Sequence, residues 1–224
     1  MSNKTPPRPR TRLYLITPPQ ITDIPAFRNT LEAALGAGDV ASLQIRLKGA
    51  AGGIDLEATR AVGKAVTAMA QEAGVAVLIN DSVDLAKELG ADGVHVGWED
   101  LPVKTARQML GPDAIIGATA KNSYHRAMQA GEDGADYVAF GAFYPTATKD
   151  ATVPAELELL TLWQSAMLLP CVAIGGITAA NAAPLVIAGA DFLAVSAGVW
   201  QHEDGPEAAI RAFNALFDQL AAGA

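Results

Sequence analysis

Eight short apolar runs alternate with longer amphipathic stretches along this chain, and that alternation restricts the fold more than any other feature. The runs are Leu13–Thr17, Ser42–Leu47, Val75–Asn80, Gly93–Val96, Ile115–Ala118, Tyr137–Phe140, Cys171–Gly175 and Phe192–Ser196. They have strand length and are mostly β-branched or aromatic. The Ala-, Leu- and Glu-rich stretches 55–73, 102–110, 123–133, 154–168, 179–188 and 206–222 show helical spacing between them. Asp55 stands where a helix N-cap belongs, and Pro102, Pro154 and Pro206 mark first turns. Gly-Ala-Asp recurs at 90–92, 134–136 and 189–191, each time just before a strand, with Gly placed to end a helix. Repeated βα units in 224 residues favour one closed (β/α)8 barrel over an open doubly wound sheet. The barrel is expected over residues 13–224, behind a basic, Pro-rich, flexible tail at 1–12.

Half the residues are hydrophobic and 18% are charged, which suits a compact globular protein. No apolar run approaches the ~18 residues of a membrane span, and the N-terminus has no apolar segment of the secretory kind. A net charge of −8 argues against a non-specific nucleic-acid binder. It leaves room for a few Lys and Arg converging on a small polyanion. Cys171 is the only cysteine, so no internal disulfide can form, and a reducing, cytoplasmic setting is expected. Composition is silent on homo-oligomer formation.

In such barrels the chemistry sits at the C-terminal ends of the strands and in the loops that follow. In the second run, alternation turns Leu43, Ile45 and Leu47 toward the helices and Gln44, Arg46 and Lys48 into the barrel. Two cations and an amide on one interior stripe need partners, and an anionic ligand supplies them better than a structural ion pair. Asn80-Asp81 ends the third run and Glu99-Asp100 follows the fourth. Neighbouring strands lie ~4.8 Å apart, so Asp81 and Asp100 can share Mg²⁺, which takes one or two carboxylates together with substrate phosphates. Either aspartate alone would read as a helix cap. Thr146, Thr148 and Lys149 after the sixth run offer hydroxyls and an ammonium to a phosphate. Gly175-Gly176 and Ser196-Ala197-Gly198 leave backbone N–H groups open to a second phosphate. His95, His125 and His202 lack metal-ligand spacing, and Cys171 reads as a small buried hydrophobe.

Taken in order, Gln44-x-Arg46-x-Lys48, Ile79-Asn80-Asp81, Ala91-Asp92-Gly93-Val94-His95-Val96-Gly97-x-Glu99-Asp100-Leu101-Pro102, Tyr144-Pro145-Thr146-x-Thr148-Lys149 and Ala173-Ile174-Gly175-Gly176-Ile177 resemble the successive motifs of the thiamine phosphate synthase family. The resemblance runs from about Leu13 to Trp200 and implies a Mg²⁺-dependent transferase. Such an enzyme joins hydroxymethylpyrimidine diphosphate to a thiazole phosphate, giving thiamine phosphate and pyrophosphate. It implies that Gln44, Arg46, Lys48, Asn80 and Lys149 hold the pyrimidine diphosphate, that Asp81 and Asp100 hold Mg²⁺, and that Thr146, Thr148, Gly176 and the Ser196–Ala197 backbone hold the thiazole phosphate. Arg46, Lys48 and Lys149 are the expected catalytic cations, since charge develops on the departing pyrophosphate. Four positions depart from the pattern: Ser82 replaces an Arg, Trp98 a Gln, Thr119 a Ser near the pyrimidine, and Ser196 is displaced by one. The alternatives are a thiazole tautomerase, which has no diphosphate to hold, and a non-catalytic phosphate sensor on the same barrel.

Overall fold

The computed structural model describes residues 9–49, 53–146 and 154–223. Eight strands, β1 (Arg12–Ile16), β2 (Val40–Ile45), β3 (Ala76–Asn80), β4 (Gly93–Val96), β5 (Ile115–Lys121), β6 (Tyr137–Gly141), β7 (Cys171–Ile174) and β8 (Phe192–Val195), pair in parallel, each with the next. β8 closes onto β1 through Arg12 opposite Phe192 and Leu15 opposite Val195. The helices are α1 (Ile24–Leu35), α2 (Leu56–Glu72), α3 (Val83–Leu89), α4 (Val103–Leu110), α5 (Tyr124–Glu132), α6 (Leu157–Ala166), α7 (Ala183–Ala188), the short α8 (Ala197–Trp200) and α9 (Pro206–Ala222). The expected (β/α)8 barrel is the observed fold. Among the described residues no helix is long and apolar enough to cross a membrane.

Strand alternation divides the apolar residues between two cores. Leu13, Leu15, Leu43, Ile45, Leu47, Val77 and Ile79 face outward and pack with Leu31, Trp163, Phe213 and Phe217 from the helices. The barrel interior holds a smaller cluster of Tyr14, Ile16, Leu78, Tyr137, Ala139, Val172 and Ala194. Gly117 is required there for space, because a Cβ on it would sit 1.9 Å from the Tyr137 ring. Toward the C-terminal rim the interior becomes polar, with Gln44, Asn80 and His95 buried.

The Gly-Ala-Asp repeats form clasps at the opposite end. Asp92, Asp136 and Asp191 each accept a backbone N–H from the neighbouring strand, those of Val77, Ile116 and Cys171, at 2.6, 2.6 and 2.8 Å. The backbone N–H of each aspartate returns the bond to the carbonyl of the same residue. Both polar groups at the start of β3, β5 and β7 are thereby satisfied where the next strand enters. The glycines of the repeat all have positive φ: Gly90 at 63°, Gly134 at 97° and Gly189 at 120°.

Some boundaries differ from expectation. The tail does not extend to residue 12. Arg10 donates to Asp218 at 2.6 Å and to the Asn214 side chain at 2.9 Å, and Arg12 opens β1 with its guanidinium on Asp39. α6 starts at Leu157 instead of Pro154, because the Ala155 N–H is taken by the Ala142 carbonyl and holds the chain out of a helical turn. α7 starts at Ala183, after Asn181 closes a turn on Thr178. Pro102 precedes α4 as its cap residue, whereas Asp55 caps α2 and Pro206 begins α9 as expected. β5 runs on to Lys121, which keeps Thr119 on the strand.

Asp136→Ala would leave the Ile116 N–H without its acceptor and Arg107 without its carboxylate. Urea unfolding should show a loss of about 1–3 kcal/mol, with ligand binding at the opposite rim unchanged.

Candidate active site

The rim is assembled from the ends of the strands. Gln44 lies on β2 with its side chain inside the barrel, where Nε2 donates to Asn80 Oδ1 at 2.7 Å and Oε1 accepts from the Tyr14 hydroxyl at 3.2 Å. Arg46, just past β2, is half-buried, and its backbone is tied to the Thr17 side chain at 2.9 Å. Among the described residues its guanidinium has neither a hydrogen bond nor an ion pair. Burial lowers its pKa, and Asp81 and Tyr14 oppose that shift. A partly desolvated cation aimed into a mouth without a fixed partner suits an anionic ligand. Lys48 is half-buried, with its backbone held by Pro19 and by a bridge to Ile54.

Asp81 and Asp100 meet at Gly97. The Gly97 N–H donates to Asp81 Oδ1 at 3.2 Å, and Asp100 bends back so closely that a Cβ on Gly97 would lie 2.1 Å from its Oδ2. Asp81 has φ 58°, a left-handed backbone that non-glycine residues seldom adopt and that recurs at functional sites. Neither aspartate caps the helix after it: Ser82 caps α3 through the Leu85 N–H, and Pro102 stands at the start of α4. The Asp81 carboxyl is pushed up to about 6, first by burial and then by the Asp100 charge, against the Gly97 N–H and the Asn80 amide. Two carboxylates brought this close, with burial and the Asp100 charge both raising the Asp81 pKa, suit a small divalent cation that takes its other oxygens from water and phosphates.

The far side of the mouth is built from glycine contacts. Gly176, at φ 62°, lies so close to the loop after β6 that a Cβ would be 2.4 Å from the Pro145 carbonyl oxygen. A Cβ on Gly198 would lie 2.2 Å from the Ile177 carbonyl. The Tyr144 hydroxyl donates to the Asn181 carbonyl at 2.7 Å and ties the two loops together. Thr146, Gly176 and the Ser196–Ala197 segment therefore share one rim. Ser196 donates its hydroxyl to the Thr17 carbonyl at 3.1 Å, so the donors on offer at the start of α8 are backbone N–H groups. Thr148 and Lys149 lie outside the described residues.

Spacing in the sequence gives His95 no metal role and singles out neither Tyr14 nor Tyr137. His95 is satisfied, by the Tyr137 hydroxyl at 2.9 Å and Thr119 Oγ1 at 2.8 Å, but those bonds join it to the site. Tyr137 meets Tyr14 at 2.9 Å. The missed signal was inward register: Tyr14, Gln44, Asn80, His95, Thr119 and Tyr137 all occupy the inward phase of their strands.

The Asp81 shift has a pH consequence. With its folded pKa above the unfolded value of 3.8, Asp81 favours folding fully below about 4, and that contribution is lost as pH rises through about 6. Asp100→Asn removes the like charge. The apo protein should then lose less stability between these pH values, by about 1 kcal/mol given partial screening by solvent, as read from Tm against pH.

Known proteins resemble this chain along nearly its whole length. A family model described as thiamine monophosphate synthase matches residues 13–199. The chain is 78% identical over 221 residues to a thiamine-phosphate synthase of Hyphomonas neptunium, covering 99% of this chain and 100% of that protein. It is 56% identical to one of Rhodospirillum centenum, over 91% of this chain and 96% of that protein. A thiamine phosphate pyrophosphorylase structure from Pyrococcus furiosus superposes with a TM-score of 0.80 at 31% identity, covering 93% of this chain and 96% of that one. By sequence and by fold, this chain belongs to the thiamine monophosphate synthase family.

Proposed function

We propose that this chain condenses 4-amino-2-methyl-5-hydroxymethylpyrimidine diphosphate with 4-methyl-5-(2-phosphoethyl)thiazole, giving thiamine phosphate and pyrophosphate, and that it works with Mg²⁺ in the cytoplasm. Beyond family membership, the observation that carries this reading is the convergence of Arg46, without a partner among the described residues, with the Asp81–Asp100 pair in one mouth. A tautomerase has no diphosphate for such a stripe to hold.

Gln44, Asn80, Arg46, Lys48 and Lys149 bind the pyrimidine diphosphate, with Thr119 beside the ring. Thr146, Thr148, Gly176 and the Ser196–Ala197 backbone bind the thiazole phosphate across the mouth. Asp81 and Asp100 would hold Mg²⁺, which when bound neutralises charge on the diphosphate. The bond from the pyrimidine methylene to the diphosphate oxygen breaks and its electron pair leaves with pyrophosphate. Arg46, Lys48 and Lys149 stabilise that charge in a partly desolvated site, where preformed donors act most strongly. The aminopyrimidine ring carries the positive charge until the thiazole nitrogen attacks. The protein need not move a proton, so no nucleophile or general base is assigned.

Purified protein with both substrates and Mg²⁺ should form thiamine phosphate and pyrophosphate, and omission of any one component should abolish both. Substrate consumption without thiamine phosphate would refute this reading. Asp100→Asn should cut turnover sharply while leaving the fold intact, and raised Mg²⁺ should partly restore it. Arg46→Met should weaken pyrophosphate binding by about 2–5 kcal/mol and leave apo stability equal or higher, since a desolvated cation has gone. Calorimetric titration and thermal unfolding read the two effects separately, and a destabilised variant with intact binding would return Arg46 to a structural role.

A further inference from the structure

Six hydrogen bonds cross the barrel interior in one continuous chain, and the proposed reaction gives no role to His95, Tyr137 and Tyr14 within it. Thr119 Oγ1 meets His95 Nε2 at 2.8 Å, and His95 Nδ1 meets the Tyr137 hydroxyl at 2.9 Å. Tyr137 meets Tyr14 at 2.9 Å, and Tyr14 meets Gln44 Oε1 at 3.2 Å. Gln44 Nε2 reaches Asn80 Oδ1 at 2.7 Å, and Asn80 Nδ2 reaches Asp81 Oδ2. Tyr14, Gln44, Asn80, His95 and Tyr137 are each no more than 8% exposed, so none can exchange its partner freely for bulk water.

The polarity of this chain follows from its last member. The Asn80 amino group donates to Asp81 Oδ2 and its carbonyl accepts from Gln44 Nε2, as an acceptor-only carboxylate requires. Gln44 must then donate to Asn80 and present Oε1 to Tyr14. A phenol has one proton, and Tyr14 spends it on Gln44 Oε1, so the Tyr14 oxygen accepts from Tyr137. Burial raises the pKa of both phenols, so each keeps its proton. The Tyr137 proton is then committed to Tyr14, and His95 Nδ1 must donate to the Tyr137 oxygen. That leaves Nε2 bare, able only to accept from Thr119. The opposite direction needs both amides flipped and a proton on Asp81.

We propose that the Asp81 carboxylate orders this whole chain, locks His95 as its Nδ1–H tautomer and commits the Thr119 hydroxyl proton inward. Thr119 is the half-exposed end of the chain, and it presents only lone pairs to the mouth. It therefore selects a substrate ring with an N–H donor at that point, and Tyr14, Tyr137 and His95 are positioning residues that act through Thr119 and Gln44. The substrate part of this inference rests on the proposed pyrimidine diphosphate reaction. The tautomer part does not.

The test separates the two. In ¹⁵N-histidine NMR of the free protein at mildly alkaline pH, the chain has three histidines, and the variants His125→Gln and His202→Gln assign His95 by elimination. The proton should be on Nδ1 with Nε2 bare; an Nε2–H form in wild type overturns the proposal without any variant. Tyr137→Phe keeps the ring beside Gly117 but removes the acceptor, so His95 should move toward the Nε2–H form, which can donate to Thr119. Affinity for pyrimidine diphosphate alone should fall about tenfold, with pyrophosphate affinity kept within about twofold. Unchanged pyrimidine diphosphate affinity, or an equal loss for pyrophosphate, overturns the positioning role. A locked Nδ1–H tautomer in a protein that makes no thiamine phosphate would count against the reaction and leave the ordered chain standing.

Discussion

Closure of β8 onto β1 is the constraint on which everything else rests. A closed parallel barrel has no free sheet edge, and it forces every second residue of each strand into one confined interior. Apolar side chains fill the lower part of that interior. Near the rim, where bulk water is excluded, Gln44 and Asn80 satisfy each other and His95 is satisfied by Tyr137 and Thr119. Tyr14 and Tyr137 span the gap between Gln44 and His95, with their ring centroids 5.8 Å apart.

The two ends of the barrel are built by opposite rules. At the N-terminal end Asp92, Asp136 and Asp191 answer a specific backbone pair, and Arg10, Arg12 and Arg107 have carboxylate partners. At the C-terminal rim Arg46 is partly desolvated without a fixed partner among the described residues, the Asp100 charge raises the Asp81 pKa, and the Asp81 backbone is left-handed. Such strain persists only where the surrounding structure overdetermines it. Here the clasps and the helical shell around the strands do so. The rim is thereby poised to gain from an anion and a divalent cation what it lacks alone.

Trp98, one of the departures from the family pattern, is exposed and stacks under the Arg126 guanidinium at 4.9 Å. That contact joins the loop carrying Asp100 to the start of α5. Ser82, another departure, takes the cap of α3, so Asp81 is not needed there and its carboxylate is available to the site. Thr119 keeps the hydroxyl of the serine it replaces and spends it on His95.

By itself the sequence determined the architecture and the identity of the charged groups. Periods of two and 3.6 residues are local properties of the backbone, so strands, helices and the inward phase of Gln44 and Arg46 could be read without coordinates. Motif order did the same for Asp81, Asp100 and Thr146. Only the tertiary structure decided that Asp81 and Asp100 are not helix caps, that Arg10 and Arg12 belong to the barrel instead of a tail, and that His95, Tyr137 and Tyr14 connect Thr119 to Asp81. Those outcomes depend on which residues from separate strands arrive at the same height inside the barrel. That height is set by stagger and closure, which no single segment encodes, and so a histidine without metal-ligand spacing in its own strand proved to be a link in a chain assembled from six strands.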